Sequence, residues 1–471
     1  MRARRLSPSV ALASLLLLAG CFDPKLEPGF ECGADPPGPE CPDGFYCDYV
    51  PYVCQREGVP PTPSGVSLGM MHPGPVAAHL GDDVVVAGWT YDPGTAGTSF
   101  QVCKFDRWGT PLIQPRTLDD FDDVDRASLR AVGSNGAVLI AGRKPGGRLQ
   151  LAWVAGVDAG AETTDNVFDA FTLAGSNDLV CWAGARAPAT GNSLINMGCN
   201  NGTSTGPIEI DAGFRGSIVS LAAGVTDVPS QGVVVAEVTS QVGALENDLF
   251  AYCPGHIPPE SRFAFDLPQG DALQPQLFYS PDDSLLQVGW KASGGLRSVA
   301  LRLSDCTVSG GGHSVGASVI AGFAMAGRAR SSGWTGGAAV WSIGLVAAGG
   351  THVSLGNWIG GSETLLDIGH TRLSSPHALT AQDNQLWFFL HAADEAPSQG
   401  YFKYTNLASL EQDPLYLDTA QVTPDFAVAR RSGGGFFLVY REDFSGEGAD
   451  RPLDATLALF DPDGDLEPPP E

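Results

Sequence analysis

The carboxylates at alternating positions in residues 461–465 have a type and spacing that could bind a cation. Asp461, Asp463 and Asp465 alternate around a glycine, an arrangement that can surround Ca²⁺ with oxygen ligands. The same turn recurs as Phe105-Asp-Arg-Trp-Gly109, without the extra carboxylates. We therefore interpret the turn as structural, with Ca²⁺ as the alternative, and predict no other metal or cofactor. The acidic run at residues 119–125 favours a solvated connection over a chelating site.

A serine between glycines offers nucleophilic chemistry. Gly312-His313-Ser314-Val315-Gly316 resembles the nucleophile elbow of α/β-hydrolase lipases, where a strained strand-to-helix turn exposes the serine hydroxyl. Neither a helix nor a doubly wound pattern flanks it here, so we predict a glycine-rich outer turn instead of a hydrolase site. The eight histidines show no H-x-H or H-E-x-x-H pairing for a transition metal.

The N-terminal cysteines predict disulfides. Cys32, Cys41, Cys47 and Cys54 share one proline-rich stretch, with eight, five and six residues between successive cysteines. Zinc sites prefer C-x2-4-C spacing, and a segment with so little apolar core needs cross-links in an oxidising compartment. We expect two disulfides, and the three possible pairings stay open.

An export signal precedes this stretch. Arg2, Arg4 and Arg5 lead into an apolar segment, residues 10–20, which is well short of the ~20 residues that span a bilayer as a helix. Leu18-Ala19-Gly20-Cys21 resembles the lipobox of bacterial lipoproteins, whose signal peptide is cut before the cysteine and whose thiol carries diacylglycerol. The resemblance implies a lipid on Cys21. Phe22, where the family's inner-membrane signal has Asp, implies the outer membrane in preference to the inner one.

The elements that follow form a repeat. Short apolar strands recur after tight polar turns, and no long amphipathic helix is evident. The first apolar residues of the recurring strand are spaced by 53, 42, 54, 52, 53, 48 and 50 residues, at positions 84, 137, 179, 233, 285, 338, 386 and 436. This period is typical of a four-stranded blade. The chain resembles β-propeller proteins, and we predict an all-β propeller of about eight blades. Seven blades are the alternative, if the unit with the 42-residue spacing forms one blade together with a neighbouring unit. Five recurring tryptophans on the second strands are predicted to be core.

The predicted propeller closes on itself. The last unit lacks a fourth strand, and the apolar segment at residues 65–71 could supply it, which would remove an open sheet edge. The predicted domains are the signal peptide (1–20), the cysteine-rich module (21–58), a proline-rich linker with the closing strand (59–71) and the propeller (72–471). Cys181 and Cys199 lie at equal distances from a turn near Gly191, so we predict a disulfide across that hairpin.

The net charge of the chain limits the kinds of partner it can bind. With 53 Asp and Glu residues against 27 Lys and Arg residues, the net charge is −26. Such a chain lacks the basic surface that binds a phosphate backbone, so we exclude nucleic acid as a partner. We expect a monomeric, non-catalytic lipoprotein that binds or scaffolds a protein or glycan partner through the loops between second and third strands. The alternatives are a propeller enzyme, such as a glycosidase or lactonase, and a structural subunit of an envelope assembly.

Overall fold

The computed structural model divides the chain into two compact units, residues 1–62 and 63–471. It describes residues 45–48, 53–56, 65–81, 84–92, 98–113, 115–155, 158–176, 179–200, 207–213, 216–224, 233–240, 247–253, 260–263, 274–280, 285–292, 295–302, 307–316, 319–328, 338–347, 350–357, 366–370, 377–380, 386–391, 399–404, 415–417, 426–431, 435–441 and 452–461. The described part of the first unit is an antiparallel hairpin of β1 (Phe45–Asp48) and β2 (Val53–Arg56), with Cys47 directly opposite Cys54.

The second unit is all-β, and its described strands form six four-stranded antiparallel sheets and one eight-stranded sheet. The eight-stranded sheet consists of two four-stranded halves that are joined by a single bridge, between Met71 and Tyr91, so we number eight four-stranded blades, 1 to 8. Blade 1 comprises β4 (Val76–Leu80), β5 (Val84–Tyr91), β6 (Ser99–Asp106) and β7 (Arg116–Thr117). Blade 2 comprises β8 (Asp125–Gly133), β9 (Val138–Arg143), β10 (Arg148–Ala155) and β11 (Asp158–Val167). Blade 3 comprises β12 (Ala170–Gly175), β13 (Val180–Arg186), β14 (Leu194–Asn200) and β15 (Ile208–Asp211). A 3-10 helix, Asp119–Phe121, precedes blade 2.

The remaining blades repeat this order. Blade 4 comprises β16 (Gly216–Gly224), β17 (Val233–Ser240), β18 (Asn247–Tyr252) and β19 (Glu260–Phe263). Blade 5 comprises β20 (Gln276–Ser280), β21 (Leu285–Ala292), β22 (Gly295–Arg302) and β23 (Thr307–Gly316). Blade 6 comprises β24 (Val319–Arg328), β25 (Ala338–Ala347), β26 (Gly350–Asn357) and β27 (Leu366–His370). Blade 7 comprises β28 (His377–Thr380), β29 (Leu386–His391), β30 (Gln399–Tyr404) and β31 (Leu415–Leu417). Blade 8 comprises β32 (Ala427–Arg430), β33 (Phe436–Arg441), β34 (Leu453–Phe460) and β3 (Gly65–Met71).

The first strands of the blades form a closed inner ring. Each contacts the first strand of the next blade, and the last contact joins β32 of blade 8 to β4 of blade 1. Such cyclic contacts between successive four-stranded sheets define a β-propeller. The predicted fold and the count of eight are confirmed, and the unit with the 42-residue spacing is a complete blade.

The predicted closing strand is also confirmed. Strand β3 pairs antiparallel with β34, so that a segment preceding blade 1 in the chain completes blade 8. Met71 is fully buried and Leu68 nearly so, in a cluster that joins blade 8 to blade 1. Strands from distant parts of the chain therefore hold the ring together through both a hydrogen-bonded ladder and an apolar layer.

The core consists of apolar layers between neighbouring blades. Second strands such as β5 are buried on both faces because each blade is covered by another on either side. This explains their continuous apolar runs and the burial of the recurring tryptophans at positions 89, 182 and 290. The side chains of Trp341 and Trp387 lie outside the described residues.

The Phe-Asp-x-x-Gly turn of blade 1 is structural, as predicted. The Asp106 side chain accepts hydrogen bonds from the backbone N–H groups of Trp108 and Thr110, at 2.9 and 2.8 Å. Gly109 has a φ of +81° and packs against blade 8. From blade 8, Arg431 donates to the carbonyl of Arg107 at 2.7 Å and lies 5.3 Å from the Trp108 ring centre, which ties the two ends of the ring together.

One local prediction was wrong. Gly312–Gly316 is not an outer turn: it is the end of β23, where Ser314 is paired with Arg297 of β22.

The fourth strand of blade 1 is short. It is limited to Arg116–Thr117, with an isolated bridge at Pro111. Pro111 and Pro115 lack the N–H groups that a longer ladder would need.

Candidate functional site

The loops that were predicted to bind a partner share one face of the propeller with the connections between blades. In each antiparallel meander, the second-to-third-strand loop and the link from the fourth strand to the next blade emerge at the same end of the strands. We call this end the loop face. The first-to-second and third-to-fourth turns emerge at the opposite end.

A cleft of about 570 Å³ opens on the loop face at blade 2. It is lined by the turn between β9 and β10, by the link into blade 2 and by the link into blade 3, and its charged residues are Asp123, Asp125, Arg143, Lys144 and Asp169. The turn of blade 2 spans only residues 144–147, whereas the corresponding loops of blades 1 and 3 span 92–98 and 187–193. The short turn leaves room above this blade.

Hydrogen bonds fix the two cations at the cleft. The Nζ atom of Lys144 lies 3.1 Å from Oδ1 of Asp123 and donates to the carbonyl of Asp120 at 3.0 Å. Arg143 donates to the carbonyl of Asp169 at 2.7 Å, and the side chain of Asp169 accepts from the N–H of Ala187 at 2.9 Å. The cations are thus engaged with the wall of the cleft.

The rim of the cleft is acidic. Five aspartates lie within residues 119–125, and all five are exposed. Of these, Asp123 is paired with Lys144, so the surface presents a surplus of negative charge. The prediction of a solvated acidic run is confirmed, and the run forms part of a concave surface.

A histidine–aspartate pair lies on the loop face at blade 1. Nε2 of His72, in the link between β3 and β4, lies 3.2 Å from Oδ2 of Asp92, which directly follows β5. Burial and the charge of Arg126 lower the pKa of His72, although Asp92 opposes them. The imidazole is therefore neutral at neutral pH and orders the join between the closing strand and blade 1.

Four residues of the loop face were not predicted from the sequence. His72 and Asp169 lie in links between blades, whereas Arg143 and Lys144 lie at the turn between β9 and β10. None of the four matches a motif spacing, and the predicted binding surface included only the longer loops. The antiparallel order of a meander could have found them, because it puts the links and the short turn on the same face as the longer loops.

The predicted disulfide of blade 3 is present. Cys181 and Cys199 are directly opposite in β13 and β14 and are bonded, with S–S 2.05 Å. Cys253 is also disulfide-bonded. Cys103 is free and buried, and burial raises the pKa of its thiol to about 11, so it is protonated and unreactive.

Other predicted site residues lie outside the described residues. These are Cys21, Cys32, Cys41, Asp463 and Asp465. Asp461 directly follows β34. Among the residues that the structure describes, no group of three or more His, Cys, Asp and Glu side chains could hold a metal ion. No helix in the same part of the chain is long and apolar enough to cross a membrane.

No protein-family model matches the chain, and no curated protein matches it. Among solved structures it is similar to the Dos1 propeller, with 11% identity and a TM-score of 0.47 over 82% of this chain and 95% of that chain. A puromycin-hydrolysing peptidase of Mycobacterium tuberculosis is 13% identical, with a TM-score of 0.41 over 73% of this chain and 54% of that one. A triple arginine-to-alanine variant of AofleA from Arthrobotrys oligospora is 10% identical, with a TM-score of 0.38 over 74% and 88%. With identities and TM-scores this low, we base no functional conclusion on these likenesses.

Proposed function

We propose that this protein is an exported lipoprotein whose propeller is a non-catalytic binding domain displayed from the outer membrane. The lipobox residues Leu18 to Cys21 support the anchor, since diacylation at Cys21 would hold the chain at a bilayer where a single acyl chain binds only marginally. The proline-rich segment at residues 59–64 would act as a semi-rigid spacer between the anchor and the propeller.

The binding surface is the loop face, and the cleft at blade 2 is the observation that carries this proposal. It is an open concavity of about 570 Å³ on the face formed by the loops, which is where rigid scaffolds present contact residues. Both of its cations are held by the cleft itself. The charge left for a partner is therefore negative.

This charge favours a protein partner with basic side chains. The acidic run at residues 119–125 lies beside the cleft, and the whole chain has a net charge of −26. Long-range attraction would speed the encounter with a basic surface and would weaken as salt is raised. Anionic lipids and anionic glycans would be repelled.

Membrane fractionation of a Cys21→Ala variant tests the anchor. The wild-type chain should sediment with outer membranes, and the variant should be released. A variant that still sediments with membranes would show that the lipid is not the anchor.

A capture experiment tests the binding face. The lipid-free chain should retain a basic protein from an envelope extract, and the double variant Asp123→Lys/Asp125→Lys should lose it. Asn135→Lys is the control, because Asn135 is exposed at the opposite end of blade 2 and this change adds positive charge away from the loop face. Equal capture by the double variant would place the binding surface elsewhere.

A further inference from the structure

A second pocket lies on the outer flank of the propeller, between blades 2 and 3. Its volume is about 220 Å³, and its lining includes Trp153, Glu162, Asp165, Trp182 and Asn196. These residues come from β10 and β11 of one blade and from β13 and β14 of the next. The pocket shares only Phe168 with the cleft on the loop face.

Asn196, which lines this pocket, has a buried amide oxygen without a hydrogen-bond partner among the described residues. Asn196 is 4% exposed, and its Nδ2 lies 3.4 Å from Oε2 of Glu209. A carboxylate can only accept a hydrogen bond, so the amide nitrogen faces Glu209 and the amide oxygen points away from it. That oxygen, Oδ1, has no hydrogen-bond partner among the described residues. A buried acceptor left in this state costs free energy, which a ligand's donor would recover.

Two indole rings form the apolar part of the pocket. Trp153 is half-buried, and its Nε1 donates to Oε1 of Glu162 at 3.2 Å, which fixes the ring. Trp182 packs edge-to-face on Phe168, with ring centres 5.6 Å apart. A Cβ at Gly198 would lie 2.4 Å from Nε1 of Trp182, so the glycine allows the indole to lie against β14.

The pocket combines aromatic rings with polar groups. Its charged lining residues are Glu162 and Asp165, which accept but do not donate hydrogen bonds at neutral pH. The lining also includes Thr163, Thr164 and Asn166, whose hydroxyl and amide groups can donate as well as accept. A ligand that fits this lining offers hydrogen-bond donors and an apolar face and carries no negative charge. The volume is below the ~300 Å³ at which drug-sized sites begin, which limits the ligand to one ring.

We propose that the flank pocket between blades 2 and 3 is a binding site for a neutral pyranose sugar. The C–H face of the ring would stack on Trp153, and ring hydroxyls would donate to Oδ1 of Asn196 and to the carboxylates of Glu162 and Asp165. The site is independent of the partner proposed for the loop face, so either can fail without the other.

Saturation-transfer NMR on the full lipid-free chain tests this site. The probes are glucose, galactose, mannose, fucose and N-acetylglucosamine, each titrated to 50 mM, with glucuronic acid as the charged comparison. At least one neutral sugar should show saturable transfer, and glucuronic acid should show none. If no neutral sugar binds, or if glucuronic acid binds best, the proposal is wrong.

Matched variants locate the binding. Trp153→Ala and Asn196→Leu should each weaken the sugar's affinity about tenfold or more, whereas Trp108→Ala, a tryptophan that is 37% exposed on blade 1, should leave it unchanged. Glu162→Gln keeps an oxygen for the Trp153 indole and serves as the conservative variant if a larger change prevents folding. Affinity that is unchanged in folded Trp153→Ala and Glu162→Gln variants would overturn the proposal.

Discussion

Lowering the pH should destabilise the folded protein through His79, because the unfolded chain binds a proton at this histidine before the folded ring does. His79 lies in β4, and its backbone packs so closely on β8 that a Cβ at Gly133 would lie 1.8 Å from the His79 carbonyl oxygen. Burial, and then the positive charge of Arg430, lower the pKa of the imidazole to about 3. The folded protein therefore holds His79 neutral where the unfolded chain would protonate it.

The sign and size of the effect follow from linkage. The unfolded histidine, with a pKa of 6.5, binds a proton first as the pH falls, so stability is lost below about 6.5 and the loss continues down to the folded pKa near 3. Between pH 7 and pH 5, a shift of this size lowers the free energy of unfolding by at most about 2 kcal/mol.

The change in the free energy of unfolding between pH 7 and pH 5 can be measured by urea unfolding of the wild type and of the His79→Gln variant. Other groups titrate alike in both chains, so their contributions cancel in the difference. The wild type should lose up to about 2 kcal/mol more than the variant over this interval. An equal loss in both chains would refute the conclusion that the folded protein keeps the His79 imidazole neutral.

Three further predictions concern stability, each measured as the free energy of unfolding in urea. Gly133→Ala should destabilise the chain by about 3 kcal/mol, because a Cβ at this position would overlap β4. Gly160→Ala is the control and should have little effect, because a Cβ at Gly160 meets no atom within 4 Å. Equal effects of the two changes would contradict the packing argument. Replacing Cys181 and Cys199 together by alanine should cost about 2–4 kcal/mol through the lost cross-link, and unchanged stability would show that blade 3 does not need it. Met71→Ala should cost about 2–5 kcal/mol, and a smaller loss would mean that the closing strand contributes little to the ring.

The repeat made most of the fold predictable from sequence. Second strands buried on both faces need continuous apolar runs, so their spacing showed the blades, and the missing fourth strand of the last unit pointed to residues 65–71. Cys181 and Cys199 could be paired because antiparallel register is symmetric about the turn. Ser314 was misplaced because a glycine-rich run resembles a turn, and in β23 the ladder to β22 overrides that local preference.

The candidate sites were less predictable. The cleft joins residues from two links and one turn, and nothing in their local sequence indicates that these segments share a face. The flank pocket depends on Asn196 and Trp153, which come from different blades. They line the same pocket only because the two blades pack side by side. Contacts of this kind arise from the packing of blades, which a repeat spacing does not specify.

Site-specific photo-crosslinking in intact cells tests the proposed binding face most directly. A photoreactive residue at Pro145, exposed in the cleft at blade 2, should give a discrete covalent adduct with one envelope protein. The same residue at Asn135, exposed at the opposite end of blade 2, should give none. No adduct at Pro145, or the same adducts at both positions, would contradict the proposal that the loop face is the binding surface.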